Sequence, residues 1–410
     1  MTISNSFSRI IQHKNTDNIS IYWNSFRILT NDKTYQKVIY LKGVSKMVLK
    51  EKISLNQLFH IVIGFNLGSS LIIGIGINAK QDAWIAVLCS SIIGIFIALF
   101  YYHFQEILPN KHFSEMLEYI LNRPIAIFIT YIYTLYFFYL ATRVIRDFGE
   151  LVTTFILPNT PIEVCSLSLV IILAYIVYLG VEVLGRVTEV FTPYAILFII
   201  LVTILLLGNN DIKLERVTPI LATGVKPLLN TIFPYELIRP YGQLFALTFL
   251  FSHLPKQQYA RHTLFYSILS SGFWLTIGTF IVTASLGPSI ASRSAFPLVS
   301  ATRLISIGDF LQRVDAFAVF IIALGVIIKV CILSFAGLKG LEYIFKLPYR
   351  LLVIPMMCIL SIYSSFISIN FSDHITESKT VVPYFLSLPL FFLLPSLFMV
   401  LALIKKKKDA

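Results

Sequence analysis

Two clusters of small polar residues, glycine and proline interrupt otherwise apolar stretches of this chain. The first, around Gly68, lies deep inside the first apolar stretch, and the second, around Pro240, lies at a similar depth in the sixth. Amides freed at a broken helix suit a carboxylate, and freed carbonyls suit an ammonium, so the expected ligand is an amino acid. The predicted ligand-binding residues are Gly68, Ser69, Ser70, Pro240, Tyr241, Gly242 and Gln243.

Glycine in a membrane helix has a second common role, which is to let a neighbouring helix approach closely. For Gly68 considered alone, this packing role is the better interpretation. Pro240 changes the balance because proline has no amide hydrogen and disrupts the helical hydrogen bonds behind it. Matching interruptions in two stretches favour a binding site at both of them.

Lys329 is a single charge near the middle of the eighth apolar stretch. A charge at that depth is costly and should face the interior of a helix bundle. Two interpretations remain open. Lys329 has a role in coupling, or it belongs to a structural buried pair.

Charges also occur in the third apolar stretch, where Arg143 and Asp147, and likewise Arg146 and Glu150, are four residues apart. Opposite charges at this spacing meet on one helix face. The pattern predicts two ion pairs within the helix, with a structural role; a vestibule or a subunit contact is the alternative.

Further charges are expected to control access or to contact other subunits. Two of them immediately precede the interruption at Pro240, and the others lie in the polar stretch 293–315 before the eighth apolar run. That stretch forms either a cap over the bundle or a docking or gating surface. The residues predicted for gating or subunit contact are Glu236, Arg239, Arg303, Asp309 and Arg313.

The elements that position these residues are about ten apolar runs, each long enough to cross a bilayer. The chain is 57% hydrophobic and 13% charged, and its mean hydropathy is +0.79. Both values are far from those of soluble domains, so we expect an all-α polytopic membrane protein. The predicted spans are 55–77, 82–104, 124–149, 163–181, 188–208, 228–254, 263–286, 314–338, 348–368 and 383–404.

The formal charge of +12 does not indicate nucleic-acid binding, because the basic residues lie beside the spans. Lys405 to Lys408 follow the last span, and nine basic residues against three acidic ones precede Ser54. This distribution predicts a lipid bilayer as the partner and places both termini in the cytoplasm.

The chain divides into a polar cytoplasmic tail, residues 1–50, and a ten-span permease-like membrane domain, residues 51–408. Residues 1–46 contain no apolar signal segment. An alternative is that translation starts at Met47, in which case the tail is not made. The sequence has no P-loop, no metal spacing of Cys and His and no acid–base–nucleophile group, so we expect no catalysis, cofactor or metal.

Several stretches resemble the spore germination permease family, the integral-membrane B subunit of germinant receptors in endospore-forming bacteria. The resemblance runs from about Lys52 to Lys408. It implies the amino acid–polyamine–organocation superfamily, whose LeuT-like bundle has two inverted repeats of five spans with broken first and sixth helices. The matching residues are Ala79-Lys80-Gln81-Asp82-Ala83-Trp84, the stretch 303–315, Tyr241-Gly242-Gln243-Leu244 and Lys329.

The resemblance implies a nutrient-sensing subunit of a spore germinant receptor in the spore inner membrane, which binds a small molecule to trigger germination. It also implies two partner subunits, a membrane protein with large soluble domains and a lipoprotein. In the superfamily fold the eighth span packs beside the first, so Lys329 would occupy the place of a cation. Two alternatives remain: a proton-coupled amino acid transporter of the vegetative cell membrane, and a passive water or ion conduit.

Overall fold

The computed structural model describes residues 52–409 apart from 110, 223, 256 and 306–313. The predicted tail, residues 1–50, and the start site Met47 lie outside the described residues. Every regular element of the described part is helical. The first seven α-helices are α1 (Leu55–Ile73), α2 (Ala83–Ile107), α3 (Phe113–Ile120), α4 (Arg123–Phe155), α5 (Ile162–Leu179), α6 (Val181–Gly208) and α7 (Val225–Thr231). The others are α8 (Ala260–Leu286), α9 (Pro288–Arg293), α10 (Pro297–Thr302), α11 (Val314–Phe345), α12 (Tyr349–Phe366), α13 (Phe371–Val381) and α14 (Leu394–Asp409).

Nine helices of the described residues are long and apolar enough to cross a membrane. They correspond to every predicted span except the sixth, where residues 232–249 form π and 3-10 segments after the short helix α7. Some spans are longer than predicted: α4 continues to Phe155 and α11 to Phe345. Hydropathy underestimated the length of α4 because its C-terminal end carries charges, which the structure pairs inside the protein.

The predicted break at Pro240 is confirmed. Arg239 has φ −117° and ψ 107°, whereas Tyr241 returns to helical values of −70° and −40°. A proline ring disfavours the helical conformation in the residue before it, which accounts for the extended Arg239. Phe233, which precedes Pro234, is extended for the same reason.

The predicted break at Gly68, Ser69 and Ser70 is wrong, because α1 continues through all three residues and ends at Ile73. Glycine and serine weaken a helix, but both keep their backbone amides and do not force a break. The chain turns instead at Gly74 and Gly76, whose φ angles are 71° and 76°. Glycine adopts these angles without the steric penalty of a Cβ atom.

Gly68 has a packing role instead. A Cβ atom added there would lie 2.4 Å from the carbonyl oxygen of Gly325 on α11. A Cβ atom added at Gly325 would lie 2.5 Å from the Cα atom of Gly68. The two helices therefore touch backbone to backbone, as small residues in membrane helices allow.

Helix α11 occupies the centre of the bundle and packs against α1 and α4. Its small residues again permit close approach, since Gly337 faces Phe138 and Gly340 faces Thr134 on α4. Large apolar side chains on the outer helices are exposed, as a surface facing lipid requires. Examples are Phe96, Phe128, Ile171, Tyr175, Leu351 and Ile354.

Candidate functional site

The turn at Gly74 and Gly76 after α1, called the first break below, contacts the irregular sixth span, whose interruption at Pro240 is called the second break. The backbone amide of Gly76 donates a hydrogen bond of 2.7 Å to Oε1 of Glu236. Glu236 is 2% exposed and lies between the two extended residues of the sixth span. A carboxylate is a strong acceptor for a backbone amide, so this bond holds the first break against the second. The contact gives a structural basis for the predicted gating role of Glu236, which stays a prediction.

Arg239 lies at the second break and is 7% exposed. Its Nη2 donates to Oδ2 of Asp147 over 3.3 Å. Within the described residues, its Nη1 has no hydrogen-bond partner.

Asp147 connects three elements. Besides Arg239 of the sixth span, it accepts a hydrogen bond of 2.9 Å from Nε2 of His374 on α13. Nδ1 of His374 lies 3.1 Å from the Ser368 hydroxyl. The carboxylate and the imidazole are both 0% exposed. Asp147 therefore fixes α4 against the sixth span and α13.

The predicted pair of Arg143 and Asp147 within α4 is wrong. Arg143 instead donates to Glu377 over 2.8 Å and to Ser378 over 2.6 Å, both on α13. The second predicted pair is confirmed, since Arg146 lies 2.6 Å from Glu150. Sequence spacing detects neighbours on one helix only, and the partners of Arg143 and Asp147 lie far away in the sequence.

Two small cavities lie on either side of Tyr235. Cavity 1, about 40 Å³, adjoins the first break and is lined by residues that include Gly74, Glu236 and Lys379. Cavity 2, about 20 Å³, adjoins the second break and is lined by Leu140, Arg143, Val144, Tyr235, Ile238, Arg239, Gln243, Ser378, Val382, Pro383 and Ser387. Each has room for water rather than for an amino acid, so a larger ligand requires the site to open.

The predicted binding residues of the sixth span have different surroundings. The Tyr241 hydroxyl shares a hydrogen bond of 2.6 Å with Ser91 on α2, and Gly242 packs against Phe392. Gln243 lines cavity 2 and is 5% exposed. Its Oε1 has no hydrogen-bond partner among the described residues. Gln243 is thus the member of this group with a buried polar atom that has no partner among the described residues.

Ser70 and Lys329 lie away from the two cavities. Ser70 is buried and lines a space between α1 and α8. Lys329 on α11 is 0% exposed, and its Nζ lies 4.9 Å from the ring centre of Phe65 on α1. The eighth span therefore packs beside the first, as the superfamily fold implies, and the Lys329 ammonium faces α1 through a cation–π contact.

Arg303 lies at the other predicted surface. Its Nε donates to Oδ2 of Asp315 over 3.2 Å, and its guanidinium lies 4.3 Å from the ring centre of Phe155. Asp309 and Arg313, predicted for the same surface, lie outside the described residues. In the described part of the chain, Arg303 joins the start of α11 to the end of α4.

Comparison with known proteins identifies the family. Residues 52–373 match the spore permease family, described as spore germination protein. The chain is 33% identical over 361 residues to spore germination protein KB of Bacillus subtilis (strain 168), covering 88% of this chain and 96% of that protein. It is 25% identical over 264 residues to spore germination protein XB of Bacillus anthracis, covering 63% and 71%. Both relatives are spore germination proteins.

Solved transporters share the fold. MhsT in complex with L-phenylalanine superposes with a TM-score of 0.62 at 14% identity, covering 87% of this chain and 93% of that one. Mhp1, a nucleobase-cation-symport-1 family transporter with bromovinylhydantoin bound, gives 0.57 at 14% identity, covering 87% and 91%. This fold is the expected LeuT-like bundle, with the two breaks described above. The chain is a multi-pass integral membrane protein that belongs to the spore germination permease family.

Proposed function

We propose that this chain is the nutrient-sensing, permease-like subunit of a spore germinant receptor, and that it binds an amino acid at its broken helices. Its relatives are spore germination proteins, and MhsT, which shares its fold, was solved with L-phenylalanine. The observation that carries the proposal is the contact between the breaks, where Gly76 donates to the buried Glu236 beside cavity 1.

Sensing follows from this arrangement if a ligand binds two conformations of the breaks with different affinity. A ligand shifts such an equilibrium only by the difference between its two binding free energies. The cavities are too small for an amino acid in this conformation, so binding favours an open one. Opening then separates Gly76 from Glu236 and changes how α1 meets the sixth span.

Lys329 would couple that movement to the rest of the bundle. It is fully buried on the central helix α11 and faces Phe65 on α1. In the proposed role, its ammonium stands where sodium-coupled relatives hold a cation and keeps the first and eighth spans together. A purely structural role in a buried pair is the alternative.

The membrane and partners belong to the same proposal. The receptor would lie in the spore inner membrane with both termini in the cytoplasm, together with a membrane subunit that has large soluble domains and a lipoprotein subunit. The surface around Arg303, Asp309 and Arg313 would dock those subunits or gate the site, because its charges lie outside the apolar spans.

The test is germination of spores that lack this chain. Deletion should abolish the response to one or more amino acids presented singly, and restoring the chain should recover it. Unchanged responses to every amino acid would contradict the proposal.

A proton-coupled amino acid importer is the second candidate, because the two solved transporters share the fold of this chain along most of its length. The isolated chain in proteoliposomes distinguishes the two functions. A sensor binds labelled amino acid without accumulating it, whereas an importer accumulates it when a proton gradient is imposed. Flux of water or ions without accumulation would instead indicate a conduit.

A further inference from the structure

We propose that the end of α14 and the neighbouring helix α3 form a binding site for the phosphate of an anionic phospholipid. The site is the lysine cluster, which consists of Lys111 and Lys405 to Lys408 around the ring of Tyr119. None of these residues lines cavity 1 or cavity 2. The match to the family model ends at residue 373, before α14 begins. The inference therefore goes beyond the proposed function and does not depend on it.

The first argument is that Tyr119 gathers two ammonium groups at one place. Nζ of Lys111 lies 4.9 Å from the centre of its ring, and Nζ of Lys405 lies 5.0 Å from the same point. Lys405 also donates a hydrogen bond of 2.6 Å to the backbone carbonyl of Tyr119. This carbonyl belongs to the last turn of α3, where carbonyls lack partners within the helix. The bond holds Lys405 in place, so part of a cationic site is formed before a ligand arrives.

The second argument is that no carboxylate of the described residues neutralises the end of α14. Glu115 accepts a hydrogen bond at the start of its own helix α3, and Glu118 accepts one from the Tyr343 hydroxyl. The ion pairs of the described part of the chain include none of the four lysines that end α14. The last three of these lysines are exposed. Adjacent like charges repel each other, so an anion from outside the chain stabilises this helix end.

The third argument concerns the position of the lysine cluster along α14. The outward side chains before it are apolar and about half exposed: Leu397, Val400, Leu403 and Ile404. In a membrane such a surface faces hydrocarbon. Lys405 follows Ile404 directly, so its ammonium lies where the hydrocarbon ends and the head groups begin. Lysines at this level attract anionic lipids, and tyrosine is enriched there. The cluster therefore suits a lipid phosphate better than a soluble anion.

Helix α3 connects the lysine cluster to the sixth span. Phe113 is buried at the start of α3, and its ring centre lies 4.7 Å from that of Phe245 in the sixth span. The ring centre of Phe398 on α14 lies 6.3 Å away on the same ring of Phe113. The Ser252 hydroxyl lies 2.6 Å from Nδ1 of His112, which precedes α3. A lipid that holds α14 and α3 together should therefore stabilise this end of the bundle.

Native mass spectrometry of the purified full-length chain tests the site. The chain in detergent is mixed with equal amounts of phosphatidylglycerol and phosphatidylcholine. Both lipids contain a phosphodiester, but only phosphatidylglycerol has a net negative head group, so the comparison isolates charge. We expect phosphatidylglycerol to bind preferentially, and the preference to fall as the ammonium acetate concentration is raised. Phosphatidylglycerol should also raise the thermal midpoint of the chain more than phosphatidylcholine does.

Removal of the lysine charges should remove most of this preference. Each lysine near an anionic surface contributes about fivefold in affinity, so four should cost at least about tenfold. Lys111→Gln tests the α3 side separately and should cost about fivefold. The quadruple variant carries Lys405→Gln, Lys406→Gln, Lys407→Gln and Lys408→Gln.

A matched control removes the same number of positive charges from exposed positions outside the lysine cluster. It should keep the wild-type preference for phosphatidylglycerol and the wild-type rise in thermal midpoint. The control variant carries Lys213→Gln, Lys226→Gln, Arg261→Gln and Arg293→Gln.

Three outcomes would overturn the site. The first is equal binding of the two lipids by the wild type, or an unchanged preference in the quadruple variant. The second is displacement of phosphatidylglycerol by millimolar inorganic phosphate or glycerol 3-phosphate, which would assign the cluster to a soluble phosphate. The third is binding of a polyglutamate peptide without any lipid preference, which would assign it to an acidic protein segment. None of these outcomes affects the proposed amino acid binding, which the germination assay tests.

Discussion

At the scale of single residues, buried charges are paired between distant parts of the chain. Asp147 on α4 contacts Arg239 in the sixth span and His374 on α13, and Arg143 contacts Glu377. The charges of α4 are visible in the sequence, but their spacing of four residues predicted partners within α4 and not in other elements. Residues brought together only by tertiary packing leave no local pattern, which explains why the roles of His374 and Glu377 were not predicted.

Removal of the Asp147 carboxylate should be strongly destabilising. Asp147→Ala leaves the buried Arg239 and His374 without their shared acceptor, and breaking a buried pair costs about 3–5 kcal/mol. Glu377→Ala is the control, because Glu377 is 38% exposed and its loss leaves Arg143 bonded to Ser378 and Tyr139. Thermal unfolding in detergent should show a clearly lower midpoint for Asp147→Ala than for Glu377→Ala. Equal midpoints would contradict the role given to Asp147.

Lys329→Met should insert normally into the membrane, since it removes a charge from an apolar span. It should nevertheless lose the germination response, because the ammonium no longer connects α11 with α1 at Phe65. Lys329→Arg should fail as well, because its planar head does not replace a compact ammonium. Immunoblots of spore membranes and germination assays give the two readouts. A wild-type response from Lys329→Met across the ligand range would show that the Lys329 ammonium has no role in coupling.

At the scale of elements, the two breaks differ in whether the sequence predicts their position. Pro240 predicts its break because a proline restricts the residue before it, and Arg239 is indeed extended. The first break depends on positive φ angles at Gly74 and Gly76, which glycine permits but does not require. The same residue type at Gly68 continues a helix, so glycine alone did not locate the break.

The backbone contact between α1 and α11 predicts that Gly68 tolerates no side chain. Gly68→Ala places a Cβ atom 2.4 Å from the Gly325 carbonyl oxygen, and such overpacking costs about 1–3 kcal/mol. Gly278→Ala on α8 is the matched control, because its Cβ atom would lie 3.9 Å from the nearest neighbour. Thermal unfolding should separate the two variants. A Gly68→Ala protein as stable as Gly278→Ala would show that the helices separate easily at this point.

At the scale of the whole molecule, hydropathy predicts the architecture well. Nine of the predicted spans are membrane-capable helices in the described residues, and the sixth is apolar but irregular because Pro234 and Pro240 interrupt it. A LeuT-like arrangement was expected from a family resemblance, and the solved transporters share it. Hydropathy predicts the number and length of the spans, but it does not predict how they are arranged.

The N-terminal segment should be dispensable if translation starts at Met47. The match to the family begins at residue 52, after this segment. Spores that carry only residues 47–410 should then contain normal amounts of the chain and respond to nutrients as the wild type does. The measurements are membrane abundance and germination rate. Normal abundance with a lost response would assign residues 1–46 a function in signalling.

An amino acid that binds at the broken helices should change the conformation of both breaks. Hydrogen–deuterium exchange of the purified chain in nanodiscs, with and without a mixture of the common L-amino acids, measures this change. We expect altered exchange in peptides that contain Gly74 to Gly76 and Arg239 to Gly242, with no change in the lipid-facing helix α6. Exchange that is unchanged at both breaks, while the same mixture triggers germination of spores carrying this chain, would contradict this expectation.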